Sequence, residues 1–276
     1  MYCRAERLVR LGNMIIIVKM GGEEMIDIHT HILPCIDDGA GSADVSLKML
    51  KIQAEQGVKT VVFTPHYYGK KYSPERFLEV RKTAFEKIQK DAERLGLEFR
   101  MGAEIYFSAE KIASNRALCS LAIEGTKYVL IELPLQSVWS NALWNRLSDF
   151  ICESGYTPII AHVDRYAEIH KNPRYLSMLA DMGCLLQVNT ASFLQQKERK
   201  LVLRMLKKGL VHCLGTDSHN LSNRAPDYAT AKAFFGEIGE TARFEKIQEN
   251  MQWILNGQIV TVGEYSPIKK FMGMYY

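Results

Sequence analysis

A chain of 276 residues is long enough for one large core, and 47% hydrophobic with 24% charged residues is the make-up of an ordinary water-soluble globular protein. A formal net charge of +4 with no dense Lys/Arg block leaves no footprint for nucleic acid. No stretch reaches the ~18 apolar residues of a membrane helix, and the six scattered cysteines (Cys3, Cys35, Cys119, Cys152, Cys184, Cys213), without a C-x-x-C pair or secretory signal, fit reduced thiols in the cytosol.

Met1–Glu24 holds one short apolar run, Met14–Val18, too brief for a signal-peptide core. It reads as an N-terminal extension: either an added strand or an artefact of the start site, since Gly21–Glu24 back-translates to a purine-rich stretch just before Met25. Residues 25–276 are expected to form a single domain, with no repeat, low-complexity tract or linker.

From Met25 on, β-rich runs alternate with helical segments, the pattern of βα units around a parallel sheet and hence of an α/β fold. The seven runs are IDIHTHIL (26–33), KTVVFTPH (59–66), LEFRMGAEIYF (97–107), KYVLIELP (127–134), TPIIAHVDR (157–165), LLQVNTASF (185–193) and VHCLGTDSH (211–219). Between them, Ser73-Pro74 caps and opens a helix whose apolar face runs Phe77, Val80, Ala84, Ile88, Leu95 before Gly96 closes it. Asn172-Pro173 opens another that ends at Gly183; Gly57, Gly155 and Gly209 end three more, and a last pair spans about Pro226–Phe235 and Thr241–Asn256.

Polar residues mark the C-terminal ends of these runs. His29 and His31 stand at the end of the first, His66 of the second, Glu104 of the third, Glu132 of the fourth, His162 of the fifth, Asp217 and His219 of the seventh. In a parallel barrel those ends form one face, where active sites are built. Five of the seven histidines therefore converge. Residues i and i+2 of a strand project to the same side, so His29 and His31 grip one cation together, Asp217 and His219 repeat the geometry from across the barrel, and Glu104 has oxygens to bridge neighbouring cations. Imidazole and carboxylate without thiolate suit Mn²⁺, Zn²⁺ or Fe, and the donors outnumber the needs of one tetrahedral ion. A cluster of two or three ions generates hydroxide at neutral pH and clamps phosphate oxygens.

Taken singly, these signals are weak. An H-x-H pair is usually structural, Asp37-Asp38-Gly39 alone is a turn before a helix cap at Ser42, and Glu132 ahead of Pro134 suits a surface loop. His170 and His212 have no partner by pattern and read as structural. The conjunction carries the metal reading.

The ordered set DIHTHILP…DDG, TPHYY, GAEIYF, IELP, AHVDRY and GTDSHN, from Met25 to Asn220, resembles the PHP (polymerase and histidinol phosphatase) superfamily and, within it, the bacterial CpsB/CapC/YwqE-type metal-dependent tyrosine-protein phosphatases; the closing WILNGQIV shares the likeness. The resemblance implies a distorted seven-stranded (β/α)7 TIM-like barrel with three metals, commonly Mn²⁺. One would take His29, His31, Glu104 and Asp217; a second Glu104, Glu132 and His162; a third Asp38, His66 and His219. Arg165 in AHVDRY and Arg224 in SHNLSNR match the family arginines that hold phosphate, in keeping with the planar fork of a guanidinium. Asp38 and His66 thereby count with the arginines as catalytic. Two departures touch loop geometry only: Cys35 stands where the family often has Gly, and AHVDRY replaces the commoner AHPERY. A thiolate route, which needs Cys and Arg separated by five residues, is excluded because no cysteine here has Arg six positions on.

The segment TPHYYGKKYSPERF is expected to overhang the cluster and has two readings: Tyr67, Tyr68 and Tyr72 pack on an aromatic leaving group while Lys70 and Lys71 attract an acidic peptide, or it is a solvated loop with incidental aromatics. By resemblance the substrate is phosphotyrosine in the tail of a membrane-associated bacterial tyrosine kinase that governs capsule or exopolysaccharide synthesis, and the protein is cytoplasmic; the residue pattern itself says phosphate ester. The alternatives are a small-molecule PHP phosphoesterase, such as a histidinol-phosphate phosphatase, and a non-catalytic PHP scaffold. Tyr275-Tyr276 reads as a frayed end. Oligomeric state is not legible.

Overall fold

Val, Ile and aromatic residues fit a pleated surface covered on both faces, and the expected apolar runs are where the strands form. The computed structural model describes residues 6–11, 14–19, 25–107, 115–135 and 137–276. Two strands, β1 (Glu6–Leu11) and β2 (Met14–Lys19), pair antiparallel as a separate two-stranded sheet. The seven runs supply nine parallel segments: β3 (Met25–Thr30), β4 (Val58–Phe63), β5 (His66–Tyr67), β6 (Glu98–Met101), β7 (Glu104–Tyr106), β8 (Tyr128–Glu132), β9 (Thr157–Ile160), β10 (Leu185–Asn189) and β11 (Cys213–Gly215). They form a sheet of order β3-β4-β6 and a curled sheet of order β11-β10-β9-β8-β7-β5.

This is a mixed α/β fold of parallel strands, not one continuous seven-stranded ladder. The second and third runs each break, at Thr64-Pro65 and at Gly102-Ala103, so one half of each pairs in one sheet and the other half in the other. Proline has no N–H for a ladder and glycine has no side chain to pack there. The first and last runs, expected to face each other across a barrel, are neighbours: Thr30 bridges Ser218, His31 N–H donates to the Ser218 carbonyl at 3.0 Å, and Asp217 N–H to the His29 carbonyl at 2.8 Å.

Ten helices are described: α1 (Ala43–Glu55), α2 (Pro74–Glu86), α3 (Gln89–Ala92), α4 (Asn115–Leu121), α5 (Asn141–Ser154), α6 (Ala167–Lys171), α7 (Arg174–Asp181), α8 (Gln196–Lys207), α9 (Tyr228–Glu237) and α10 (Thr241–Leu255). Ser73 caps α2 by accepting from Arg76 N–H, as its position promised. The single helix expected to run on to Gly96 is three pieces, α2, α3 and a 3₁₀ turn (Glu93–Leu95), with the fully buried Ile88 at the first break. No described helix is long and apolar enough to cross a membrane, and no disulfide joins the described cysteines.

The C-terminus is not frayed. β12 (Lys270–Phe271) and β13 (Met274–Tyr275) make a hairpin in which the Tyr275 hydroxyl meets His170 Nδ1 at 3.1 Å and Arg204 Nε and Nη2 donate to the Tyr275 carbonyl at 3.1 and 2.9 Å. His170 thus has a structural task, its other nitrogen lying 2.6 Å from the Asp164 carbonyl.

His212 is structural as well. Its Nδ1 accepts from Leu186 N–H and its Nε2 donates to the Val262 carbonyl, which fixes a neutral ring. Burial pushes its pKa down to about 4. Because the folded value lies below the unfolded one, the stability it contributes is complete above the unfolded value and is lost as pH falls toward the folded one. Between pH 7 and pH 5 the wild type should lose about 2 kcal/mol more than His212→Gln, measured by urea denaturation at the two pH values; equal losses contradict this.

Candidate metal centre

Alternation along β3 puts Asp27, His29 and a further rung, His31, on one side, and all three are fully buried. His29 Nε2 lies 3.0 Å from His31 Nε2. Each ring is held from behind: His31 Nδ1 is 2.7 Å from Asp37 Oδ2, and His29 Nδ1 is 3.0 Å from Gln187 Oε1. With Nδ1–H donated in both rings, two Nε2 lone pairs point at each other, an arrangement that a shared cation relieves.

Glu104 on β7 stands at the centre. Its Oε2 is 3.0 Å from His66 Nδ1, 3.1 Å from His31 Nε2 and 3.3 Å from His29 Nε2, while Oε1 is 2.9 Å from His162 Nε2. Glu132 Oε1 lies 3.6 Å from the same His162 nitrogen. Asp217 Oδ1 is 3.6 Å from His29 Nε2 and 3.5 Å from His219 Nδ1, and Asp38 Oδ1 is 3.5 Å from both His66 Nε2 and His219 Nε2. All nine residues singled out as ligands therefore meet. Three groups have donor atoms within 4.8 Å of one another: His31, Asp38, His66 and His219; His29, His31 and Glu104; and His66, Glu104 and Glu132. These groups overlap the three sets implied by resemblance but are not identical to them: His31 also reaches the Asp38 group and His66 the Glu132 group, while Asp217 and His162, expected in the first and second sets, fall in none of the three.

The donor set fits divalent cations on this structure's own terms. His66 Nδ1, Glu104 Oε2, His162 Nδ1, Asp217 Oδ1 and His219 Nε2 are buried without a hydrogen-bond partner, a costly state for polar atoms unless something else binds them. Electrostatics agree. Burial opposes ionisation of Asp217, yet His29, His162 and Arg224 hold its carboxyl far below the carboxylate range. Burial likewise disfavours charge on His31, and Asp37 and Glu104 outweigh it, raising that imidazole well above its usual value. Glu132 goes the other way, pushed up by burial and by the neighbouring Glu104 charge. A resident cation would replace these protons as the positive charge of the cage.

Two of the candidate ligands sit just beyond strand ends in strained backbone: His162 with φ 31° and Asp217 with φ 52°. The strain is braced by groups that the sequence reading passed over. Asp27 accepts from Thr216 N–H and Oγ1–H at 2.9 and 2.6 Å, Gln187 Oε1 accepts from His162 N–H at 2.7 Å, and Asn189 Nδ2 donates to Asp217 Oδ2 at 3.0 Å. Gln187 and Asn189 alternate on an apolar strand as His29 and His31 do, and that period-2 polar signal would have found them. Asp164, one of the two departures within AHVDRY with Val163, is buried and accepts from Asn189 N–H and Ser192 Oγ, pinning the 3₁₀ turn Val163–Arg165. Close approach explains two glycines: a Cβ on Gly39 would lie 2.0 Å from the His31 carbonyl oxygen, and one on Gly215 2.5 Å from His29 Cβ.

Arg165 and Arg224 converge on the outer oxygen of Asp217, at 2.8 and 2.6 Å, and each keeps about a third of its side chain in solvent at the rim. Tyr68 faces the rim with its ring 5.1 Å from that of His66. Tyr67 does not. It is 4% exposed and packs edge-on against Phe77 at 5.2 Å, because strand alternation turns it away from His66 into the core; its expected contact with substrate is corrected here. Cys35 has φ 59°, a left-handed conformation that Gly adopts without strain.

Cys35→Gly should stabilise the fold by about 0.5–1 kcal/mol by relieving that left-handed residue, read as a raised urea midpoint; a lowered midpoint contradicts it. Asp37→Asn should weaken metal affinity by roughly 10- to 100-fold without removing any caging donor, read by titration with a competing chelator, and unchanged affinity refutes a positioning role.

Comparison with known proteins places this geometry. The family model for capsular polysaccharide synthesis proteins, CpsB/CapC, matches residues 25–256. The tyrosine-protein phosphatase YwqE of Bacillus subtilis (strain 168) is 32% identical over 256 residues, 89% of this chain and 97% of that protein. The tyrosine-protein phosphatase CpsB of Streptococcus pneumoniae is 33% identical over 216 residues, 73% of this chain and 86% of that protein. A crystal structure from work on YwqE and CpsB, described as unique metal-dependent tyrosine phosphatases, superposes with a TM-score of 0.79 at 29% identity, covering 89% of this chain and all of that one. A phosphotriesterase homology protein from Escherichia coli shares the fold alone, with a TM-score of 0.52 at 13% identity, covering 84% of this chain and 98% of that one. With the family model spanning most of its length, this chain belongs to the CpsB/CapC family.

Proposed function

We propose that the chain is a metal-dependent protein-tyrosine phosphatase that hydrolyses phosphotyrosine on the tail of a membrane-associated bacterial tyrosine kinase and so regulates capsule or exopolysaccharide synthesis. The two sheets are, on this reading, the distorted seven-stranded barrel of a PHP domain occupying residues 25–276, working in the cytoplasm, with residues 1–24 as an extension. The observation that carries the proposal is the buried set of unpartnered nitrogen and oxygen donors directly beneath two rim arginines.

His29, His31, Asp38, His66, Glu104, Glu132, His162, Asp217 and His219 would hold two or three ions, Mn²⁺ first, with Zn²⁺ and Fe also compatible with imidazole and carboxylate donors. When bound, such ions supply Lewis acidity that lowers the pKa of water and offsets charge on phosphate oxygens. The remaining chemistry belongs to the chain. Arg165 and Arg224, tethered through one carboxylate oxygen, have further N–H donors to offer non-bridging phosphate oxygens and to stabilise charge that grows in the transition state. Asp217 orients both forks while its inner oxygen faces the imidazoles. Asp38, two-thirds exposed, stands with His66 and His219 on the solvent side, where its carboxylate, held ionised by those imidazoles, would accept a hydrogen bond from the solvent water that protonates the departing phenolate.

Phosphotyrosyl-peptide hydrolysis should vanish on chelation, return best with Mn²⁺ and survive thiol alkylation; loss on alkylation with no effect of chelator overturns the proposal. Faster turnover of histidinol phosphate than of the peptide would favour a small-molecule phosphoesterase, and a metal-free purified protein a scaffold. Arg165→Ala should cut kcat/KM by roughly 100-fold with metal content unchanged, whereas His66→Ala should lower metal content, both checked by elemental analysis beside the assay.

A further inference from the structure

The strand register that builds the cage also builds a second row above it. β5 and β7 run parallel with His66 opposite Glu104 and Tyr67 opposite Ile105. Tyr67 and Ile105 turn inward, at 4% and 2% exposure. One step further the pattern returns to the cage side, and the residues there are Tyr68 and Tyr106, just over a third exposed, with ring centroids 5.6 Å apart. Each follows a caging residue by two positions, so the aromatic row stands roughly 6–7 Å nearer the mouth than the row of His66 and Glu104, level with Glu132, which lies opposite Tyr106 on β8. The Tyr68 ring also lies against the His66 ring, joining the two rows. Two aromatic faces in cross-strand contact thus stand beside solvent at the edge of the polar cage, where a ligand's ring can reach them.

The geometry points to Tyr68 and Tyr106 as an aromatic wall that selects aryl over alkyl phosphate monoesters, an inference that rests on the phosphatase reading and names what chooses its substrate. An aryl ester carries its ring one oxygen away from phosphorus, so a phosphoryl group seated between the arginines and the cage brings the phenyl ring up to the height of the tyrosines. Offset or edge-on contact with either ring then adds to binding. An alkyl ester has no ring at that height, and its peptide backbone would have to descend toward the rim to deliver the phosphate. Tyr106 lies in the motif GAEIYF, in which the sequence pattern assigns chemistry to Glu104 alone; the register supplies its role.

The test compares the Mn²⁺-loaded wild type with Tyr68→Leu, Tyr106→Leu and the two corresponding Phe variants. Each Leu variant should lose about fivefold in kcat/KM on a phosphotyrosyl peptide and less than twofold on the phosphoseryl peptide of the same sequence, and each Phe variant should keep wild-type selectivity. Metal content should stay constant throughout; a fall in the Leu variants would mark the rings as supports of the cage and overturn the wall. Equal losses on both peptides, or none, overturn it too. Binding of two non-hydrolysable probes, benzylphosphonate and propylphosphonate, separates this inference from the one beneath it. Wild type that prefers benzylphosphonate, with the preference lost in the Leu variants, upholds the wall even if no ester is turned over; wild type that hydrolyses phosphotyrosine but binds both probes equally refutes the wall and leaves the phosphatase reading intact.

Discussion

The arrangement depends on one buried carboxylate. Glu104 is fully removed from solvent, and taking a charge of that kind out of water is expensive unless partners surround it. Here the partners are four imidazoles from three runs of the chain: His29 and His31 on the first, His66 at the end of the second, and His162 in the fifth. Its own backbone is fixed by N–H bonds to the carbonyls of Thr64 and Pro65, at the point where the second run crosses between sheets. The break at Gly102-Ala103 is therefore functional in effect, since it lets β7 pair with β5 and β8 and brings Glu104 level with His66.

Around that centre, rigidity and strain are divided between different residues. Strands deliver His29, His66, Glu104 and Glu132 in unstrained backbone, while His162 and Asp217 occupy left-handed conformations just past strand ends. Such conformations persist where neighbouring contacts over-determine them. Asp27, Gln187 and Asn189 provide those contacts, linking adjacent strands through side-chain bonds to loop backbone or to the ligands themselves. The turn that carries Arg165 is secured through a longer chain, from Asp164 to His170 and then to Tyr275 on the terminal hairpin. Loops that carry function are thus tied to the scaffold at several points.

Much of this was legible in the sequence because residues able to hold a metal interrupt apolar strands, where nothing else explains them. His29 with His31, and Asp217 with His219, stand out by spacing, and all nine donors named from sequence come together. What escaped notice was subtler. Asp37 was hidden in a DDG turn whose two carboxylates do different work, one behind His31 and one toward the mouth. Gln187 and Asn189 looked like ordinary strand polar residues. Tyr67 and Tyr68 are chemically alike, and only the pleat decides which is core and which is rim. The crossing of two runs between sheets, the break at Ile88 and the docking of Tyr275 are set by tertiary contacts that no local pattern encodes.

The account stands on cations sitting among these donors, with Glu104 touching more than one of them. Anomalous diffraction at the manganese edge from crystals of the Mn²⁺-loaded chain tests this most directly. The account predicts peaks about 2.0–2.3 Å from the ring nitrogens of His29, His31, His66 and His162 and from both oxygens of Glu104. A fully active protein with no anomalous peak inside this cage would contradict it.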